Sequence, residues 1–185
     1  KAFRDLKAKH GVFGSLGNHD FFSNADYVAK SLSNETPVQV LRNEHRKVSI
    51  NGKDLLIMGV DDTRGGGVDM NTIMRYYENT ENKMKQTEGD VSGKPKILLC
   101  HKPYGFDELA KKEVDLILSG HTHGGQVVPV KLGNFNLSFA AAVSKYIEGL
   151  YKNGKSQMYV SRGIGSVALP IRLNCPPEIT VIKLI

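Results

Sequence analysis

The chain of 185 residues has no long hydrophobic run and only two cysteines. No apolar stretch approaches the roughly 18 residues that a transmembrane helix requires, and no stretch has the pattern of a secretory signal. Cys100 and Cys175 lie far apart, in apolar or proline-rich surroundings. This favours buried free thiols over a disulfide, and neither cysteine has the paired spacing of a zinc knuckle.

The composition is that of one globular domain covering residues 1–185. A hydrophobic content of 40%, with seven Phe and seven Tyr, is ample for a packed core. The net charge of +6 would suit an anionic partner such as a phosphate, a nucleic acid or an acidic membrane surface. The lysines are scattered, however, whereas a nucleic-acid-binding module needs clustered cations with aromatic platforms. We therefore rank such a module last and expect no nucleic-acid partner.

The most informative stretch is residues 119–126, which follows an apolar run at residues 114–118. Here a predicted strand ends and presents His121 and His123, whose side chains point the same way if the backbone is extended. Neutral imidazole is the commonest metal ligand near neutral pH. A polar turn with two exposed histidines is the alternative, but the flanking glycines and the clusters described next favour a metal site.

Two further predicted strands also end in polar clusters. Residues 12–16 lead into Asn18 and His19, and residues 96–100 lead into His101. In open α/β sheets, ligands bind beyond the carboxyl ends of the strands. Because three such ends occur in one short chain, we expect their polar side chains to meet in a single site.

The remaining patterns predict an α/β protein. Helices are predicted at residues 1–10, 25–32, 71–84 and 105–112, and a polar linker at residues 82–95. Extended segments or strands are predicted at residues 36–43, 47–50, 55–60, 135–139, 141–151, 157–161 and 178–184. The Asn-Gly pair at residues 51–52 and the turn at residues 152–154 each predict a β-hairpin.

These clusters resemble the later motifs of the calcineurin-like metallophosphoesterases. The resemblance is carried by Gly-Asn-His-Asp at residues 17–20, a lone strand-end His101, and Gly-His-Thr-His at residues 120–123, in that order and with similar gaps. The whole chain is similar to the YkuE-like bacterial branch. The resemblance implies an α/β/β/α sandwich of two mixed sheets with the site at the strand ends.

The resemblance also implies a hydrolase that uses two divalent cations, with Mn, Fe or Zn as the expected metals. In the matching family positions, Asn18, His101 and His121 bind one cation. His123 binds the other. Two cations about 3.5–4 Å apart neutralise an anionic phosphoester and lower the pKa of a bridging water.

His19 and Asp20 are implied to be catalytic. His19 is not a ligand in this scheme but a proton donor or charge stabiliser for the leaving alkoxide, and Asp20 orients it. The alternatives are an ordinary strand-end histidine or a direct ligand. The expected substrate is a phosphomonoester or phosphodiester, either a small molecule or lipid-linked. The branch implies a bacterial protein that is cytoplasmic, membrane-associated or exported.

The chain departs from the family pattern at its start. Family members also carry Asp-x-His and Gly-Asp-x-x-Asp on their first two strands, and neither motif is present. We therefore expect an N-terminally incomplete domain that lacks the carboxylate ligands and binds one cation or none, whereas the full family site holds two. Any membrane association is expected to arise from the missing segment. The alternative function is a catalytically inactive, truncated metal-binding fragment.

Several other charged residues are candidates for the site but are not assigned to it. Asp61 and Asp62 follow a predicted strand, but they match no family motif and are predicted to belong to a strand-end loop. Arg42, Arg64 and Arg162 are predicted to form surface salt bridges rather than to bind substrate, so no substrate-binding residue is assigned.

Overall fold

A computed structural model describes residues 3–63, 69–133 and 135–185. The strands are β1 (Val12–Gly14), β2 (Val38–Val40), β3 (Glu44–Ile50), β4 (Lys53–Gly59), β5 (Lys96–Leu99), β6 (Leu116–Ser119), β7 (Val130–Leu132), β8 (Phe135–Leu137), β9 (Gly149–Asn153) and β10 (Ser156–Val160). The helices are α1 (Asn18–Ser23), α2 (Ala25–Glu35), α3 (Met70–Glu88), α4 (Phe106–Ala110) and α5 (Phe139–Val143), with 3₁₀ turns at Pro103–Gly105 and His123–Gly125.

Six strands form a mixed sheet in the order β3-β4-β5-β6-β10-β9. The four inner strands run parallel, and β3 and β9 pair antiparallel at the two edges. Two further pairs lie outside it, β1 with β2 in parallel and β7 with β8 antiparallel. The predicted α/β class is confirmed, with helices packed on a multi-stranded mixed sheet.

The core lies between the sheet and the helices α3 and α4. Its buried side chains include Ile73, Tyr77, Met84, Phe106 and Leu109 from the helices and Leu56, Met58, Leu98, Ile117 and Met158 from the strands. Side chains alternate across a strand, so one face of β4, β5, β6 and β10 supplies this layer. As predicted, Cys100 and Cys175 are buried and unpaired.

The core sheet also fixes where the polar strand ends meet. β5 and β6 are parallel neighbours in the register Leu99 to Leu118. The pairing continues past the strands, because the amide of Gly120 donates to the carbonyl oxygen of His101 over 2.9 Å. The residues that follow β5 and β6 therefore lie side by side at one edge of the sheet.

Some predicted elements are wrong. Residues 3–10 form turns rather than a helix, since Phe3 and Leu6 find no core and stay 47% and 41% exposed. A short amphipathic segment is not stable as a helix unless one of its faces packs against the core.

No strand forms at residues 178–184, and the predicted extended segment at residues 141–151 begins inside α5. The predicted linker at residues 82–95 begins too early, because α3 continues to Glu88. Both hairpins, by contrast, are confirmed. Within the described ranges, no helix combines the length and the apolar character needed to cross a membrane.

Candidate metal centre

Asn18 is placed by the start of α1. The amide of Gly17 donates to Asp20 Oδ2 over 2.8 Å, a bond that caps the helix and fixes its first turn. Asn18, the first helical residue, is only 4% exposed. Its Oδ1 lies 3.1 Å from His101 Nε2, although 83 residues separate the two in the chain.

His101 and His121 lie next to each other because they follow the parallel strands β5 and β6. His101 Nε2 is 3.3 Å from His121 Nδ1, and the rings meet edge to face with centroids 5.1 Å apart. The ring of Tyr104 lies edge to face against His121 at 5.7 Å. His101 Nε2 is therefore in contact with two atoms that can bind a metal, Asn18 Oδ1 and His121 Nδ1.

The two contacts of His101 Nε2 have the spacing expected of ligands to a shared cation. Two donors that are each about 2.1 Å from one metal, at tetrahedral or octahedral angles, lie roughly 3.0–3.4 Å apart. The observed separations of 3.1 and 3.3 Å fall in that range. The set lacks a carboxylate, however, and within the described ranges no three His, Cys, Asp or Glu side chains group closely enough to hold a metal.

Both imidazoles are kept neutral. Burial lowers the pKa of His101 to about 4, with the charge of Asp62 opposing the shift and that of Lys102 adding to it. Burial is also the main reason that the pKa of His121 is lowered to about 4, and the neighbouring His101 lowers it as well. Because a metal binds the unprotonated nitrogen, both rings are in the ligand form at neutral pH.

His123 is not in hydrogen-bond contact with the other three side chains in the described structure. Its Nδ1 lies 3.4 Å from the carbonyl oxygen of Gly165, which leaves Nε2 for another partner. Burial lowers its pKa. His121 and His123 both have left-handed backbone angles, with φ of 69° and 51°. Such angles are uncommon outside glycine and concentrate at functional sites.

His19 and Asp20 lie at the start of α1. The His19 ring is exposed and packs edge to face on Phe22 at 5.9 Å. A positive charge on His19 would lower the pKa of His101 and of His123, so the ring is within electrostatic reach of both. The carboxylate of Asp20 accepts the Gly17 amide and, within the described residues, has no hydrogen bond to His19.

Two buried residues next to the site were not assigned from the sequence. Lys102, directly after His101, forms an ion pair with Asp62 at 3.0 Å, and neither side chain is more than 1% exposed. The sequence did show that Asp62 and Lys102 each follow a predicted strand. Because β4 and β5 pair in parallel, the residues after these two strands lie close together.

Two of the three arginines form ion pairs in the described part of the chain. Arg42 pairs with Asp61 and Asp26, and Arg162 pairs with Glu178. Arg64 lies outside the described residues.

Comparison with known proteins agrees with the motifs. The model of the calcineurin-like phosphoesterase family matches residues 1–125. The uncharacterized metallophosphoesterase YkuE of Bacillus subtilis is 34% identical over 183 residues, which cover 98% of this chain and 58% of YkuE. The phosphodiesterase YaeI of Escherichia coli is 27% identical, with 94% of this chain and 58% of YaeI covered.

A transmembrane protein with metallophosphoesterase domain from Bos taurus is 30% identical, over 95% of this chain and 39% of that protein. The chain thus spans between 39% and 58% of the length of these three relatives. No solved structure matches it. Since the family model covers more than half of the residues, the chain belongs to the calcineurin-like phosphoesterase family.

Proposed function

We propose that the protein hydrolyses phosphoesters at a binuclear metal centre. To this centre the chain contributes Asn18, His101 and His121 for one cation and His123 for the other. The observation that carries the proposal is that His101 Nε2 contacts both Asn18 Oδ1 and His121 Nδ1, at 3.1 and 3.3 Å, which is the spacing of neighbouring ligands to one metal. The family and the phosphodiesterase name of YaeI support phosphoester hydrolysis as the reaction class.

The proposed metals follow from the donor chemistry. Two imidazole nitrogens and an amide oxygen suit Mn, Fe or Zn. When bound, the cations would neutralise the phosphoester and supply a metal-activated water. The chain's own contribution is to present neutral, half-buried imidazoles that require no deprotonation before they bind.

We assign His19 the leaving-group role and Asp20 a positioning role. His19 is exposed beside the imidazoles, where it can deliver a proton or a positive charge to the departing oxygen. Asp20 caps the helix that carries both Asn18 and His19. By fixing the backbone of this first helical turn, its carboxylate fixes where the two side chains begin.

The first test is cation binding by the product of the full reading frame. Titration calorimetry with Mn²⁺ should show that His101→Ala weakens binding by more than about tenfold, because a donor is lost. His10→Ala is the matched control, since His10 is exposed and lies in a turn outside the site. Unchanged Mn²⁺ affinity in His101→Ala would refute the proposed ligand set.

The second test concerns His19. In His19→Ala, kcat should fall by about 10²- to 10⁴-fold on an alkyl phosphoester, whereas Mn²⁺ affinity should be retained. The loss should be smaller on a p-nitrophenyl ester of the same phosphate, since that leaving group needs no proton. Equal losses on both esters would show that His19 stabilises charge rather than donating a proton, and no loss on either would remove it from catalysis.

A second candidate function is cation binding without turnover. It is favoured by the lack of a carboxylate in the ligand set and by the absence of three grouped acidic, histidine or cysteine side chains in the described residues. In that case the protein would bind Mn²⁺, depend on His101 for it, and release no p-nitrophenol from either a monoester or a diester.

For the substrate we propose a small-molecule or lipid-linked phosphoester. Membrane association is part of the same proposal, and its support is the transmembrane name of the Bos taurus relative. Fractionation of cells that express the full reading frame tests it directly: recovery of the protein only in the soluble fraction would remove the membrane from the proposal.

A further inference from the structure

A buried ion pair borders the candidate metal centre. Lys102 Nζ lies 3.0 Å from Asp62 Oδ1, and the two side chains are 0% and 1% exposed. The same oxygen accepts the amide of Thr63 over 2.6 Å. The second carboxylate oxygen, Asp62 Oδ2, is buried and has no hydrogen-bond partner among the described residues.

The neighbouring acid shows that this is not a general property of the strand end. Both oxygens of Asp61 accept hydrogen bonds from Arg42, at 3.1, 3.2 and 2.9 Å, and Oδ2 has a further contact with Asn43 at 3.4 Å. Asp61 is therefore fully paired, whereas Asp62 is paired on one oxygen only. A buried carboxylate oxygen without a partner is costly unless a ligand or a charge compensates it.

The charges of this pair reach both imidazoles. For His101, whose pKa is lowered mainly by burial, the carboxylate of Asp62 is the largest opposing influence. For His121, the charges of Asp62 and Lys102 act in opposite directions on a pKa that burial and His101 lower. Asp61 is not among the largest influences on either ring. A charge at one of these two positions is thus felt where the cation would bind.

We propose that the charges of Asp62 and Lys102 set the affinity of the cation site. The inference rests on the cation site proposed above. The Asp62 carboxylate attracts the cation, and the Lys102 ammonium offsets that attraction. Since both groups are excluded from water, their fields are weakly screened. Removing either charge should therefore change metal affinity, and the two changes should have opposite signs.

The test is Mn²⁺ titration calorimetry on the full protein and two single variants. Lys102→Met should bind Mn²⁺ about tenfold more tightly, because it leaves the Asp62 carboxylate uncompensated beside the cation. Asp62→Asn should bind about tenfold more weakly, because it leaves a buried ammonium there. A purely structural role for the pair predicts weaker binding in both variants, and that result would overturn the proposal.

Arg42→Met is the matched control. It removes the guanidinium that pairs with the adjacent Asp61, a carboxylate outside the largest influences on His101, so Mn²⁺ affinity should change by less than about threefold.

The proposal can still be tested if the Lys102→Met variant does not fold without metal. If Lys102→Met is unfolded without metal, circular dichroism should show it refolding when Mn²⁺ is added, since the cation replaces the lost charge. Failure to refold would count against the proposal. If the unaltered protein binds no Mn²⁺, the proposed function fails; if it binds Mn²⁺ and Lys102→Met does not bind more tightly, only this inference fails.

Discussion

At the scale of single residues, Gly17 shows how a missing side chain shapes the site. A Cβ on Gly17 would lie 2.8 Å from His101 Cε1 and 2.9 Å from His101 Nε2, so the imidazole occupies the space that a side chain would need. We predict that Gly17→Ala displaces His101, lowers the free energy of unfolding by about 1–3 kcal/mol and weakens Mn²⁺ binding.

Thermal unfolding and Mn²⁺ titration check this prediction. Gly120→Ala is the control, because a Cβ there meets nothing nearer than the carbonyl oxygen of Ser161 at 3.9 Å. If both variants keep wild-type affinity for Mn²⁺, the contact between Gly17 and His101 does not position a ligand.

The proposed donor residues could be picked out from the sequence, but their surroundings could not. His121 and His123 are two apart after an apolar run, and this spacing is visible without a structure. The cap that Asp20 makes, and the unpaired oxygen of Asp62, depend on atoms that only the folded backbone brings together. Sequence patterns report residue types and periodicity, not which oxygen remains without a partner.

At the scale of elements, a carboxylate anchors the loop that contacts His123. Glu178 accepts hydrogen bonds from Tyr159, in β10, and from Arg162 and Thr180. Arg162 begins the loop whose Gly165 carbonyl oxygen lies 3.4 Å from His123 Nδ1. Burial alone would raise the pKa of Glu178, but these hydrogen bonds outweigh it and lower the pKa to about 2.

This anchor predicts a pH dependence of stability. Since the pKa of Glu178 is lowered from 4.5 to about 2 on folding, its contribution is fully present above about pH 4.5 and is lost as the pH falls towards 2. The melting temperature of Glu178→Gln should therefore lie several degrees below wild type at pH 6, and the gap should close towards pH 2. The control is Glu108→Gln, which removes an exposed pair with Lys111. A gap that does not change with pH would contradict the role of Glu178.

Elements with a strong local signal were predictable, and those decided by packing were not. The Asn-Gly turn at residues 51–52 fixed one hairpin, and the apolar runs before His101 and His121 marked two parallel strands. Residues 178–184 alternate like a strand but form none; Glu178 is held by side-chain hydrogen bonds and by a single backbone hydrogen bond to Gly163. Periodicity states a preference for extended backbone and leaves open whether a neighbouring strand is available.

At the scale of the whole molecule, the sheet gathers donors from distant parts of the sequence. Residues 18, 101 and 121 meet because β5 and β6 are parallel neighbours and α1 starts at the same edge. The family's Asp-x-His and Gly-Asp-x-x-Asp motifs do not occur in the 185 residues, so the proposed donors are imidazole and amide groups alone. We therefore predict cation binding that depends on neutral imidazoles and weakens as they become protonated.

The most direct measurement is anomalous diffraction at the manganese absorption edge, from crystals of the full protein grown with Mn²⁺. We predict a manganese peak bonded to Asn18 Oδ1, His101 Nε2 and His121 Nδ1, at about 2.0–2.3 Å from each. Manganese bound elsewhere, with the 3.3 Å contact between the two imidazoles intact, would contradict it.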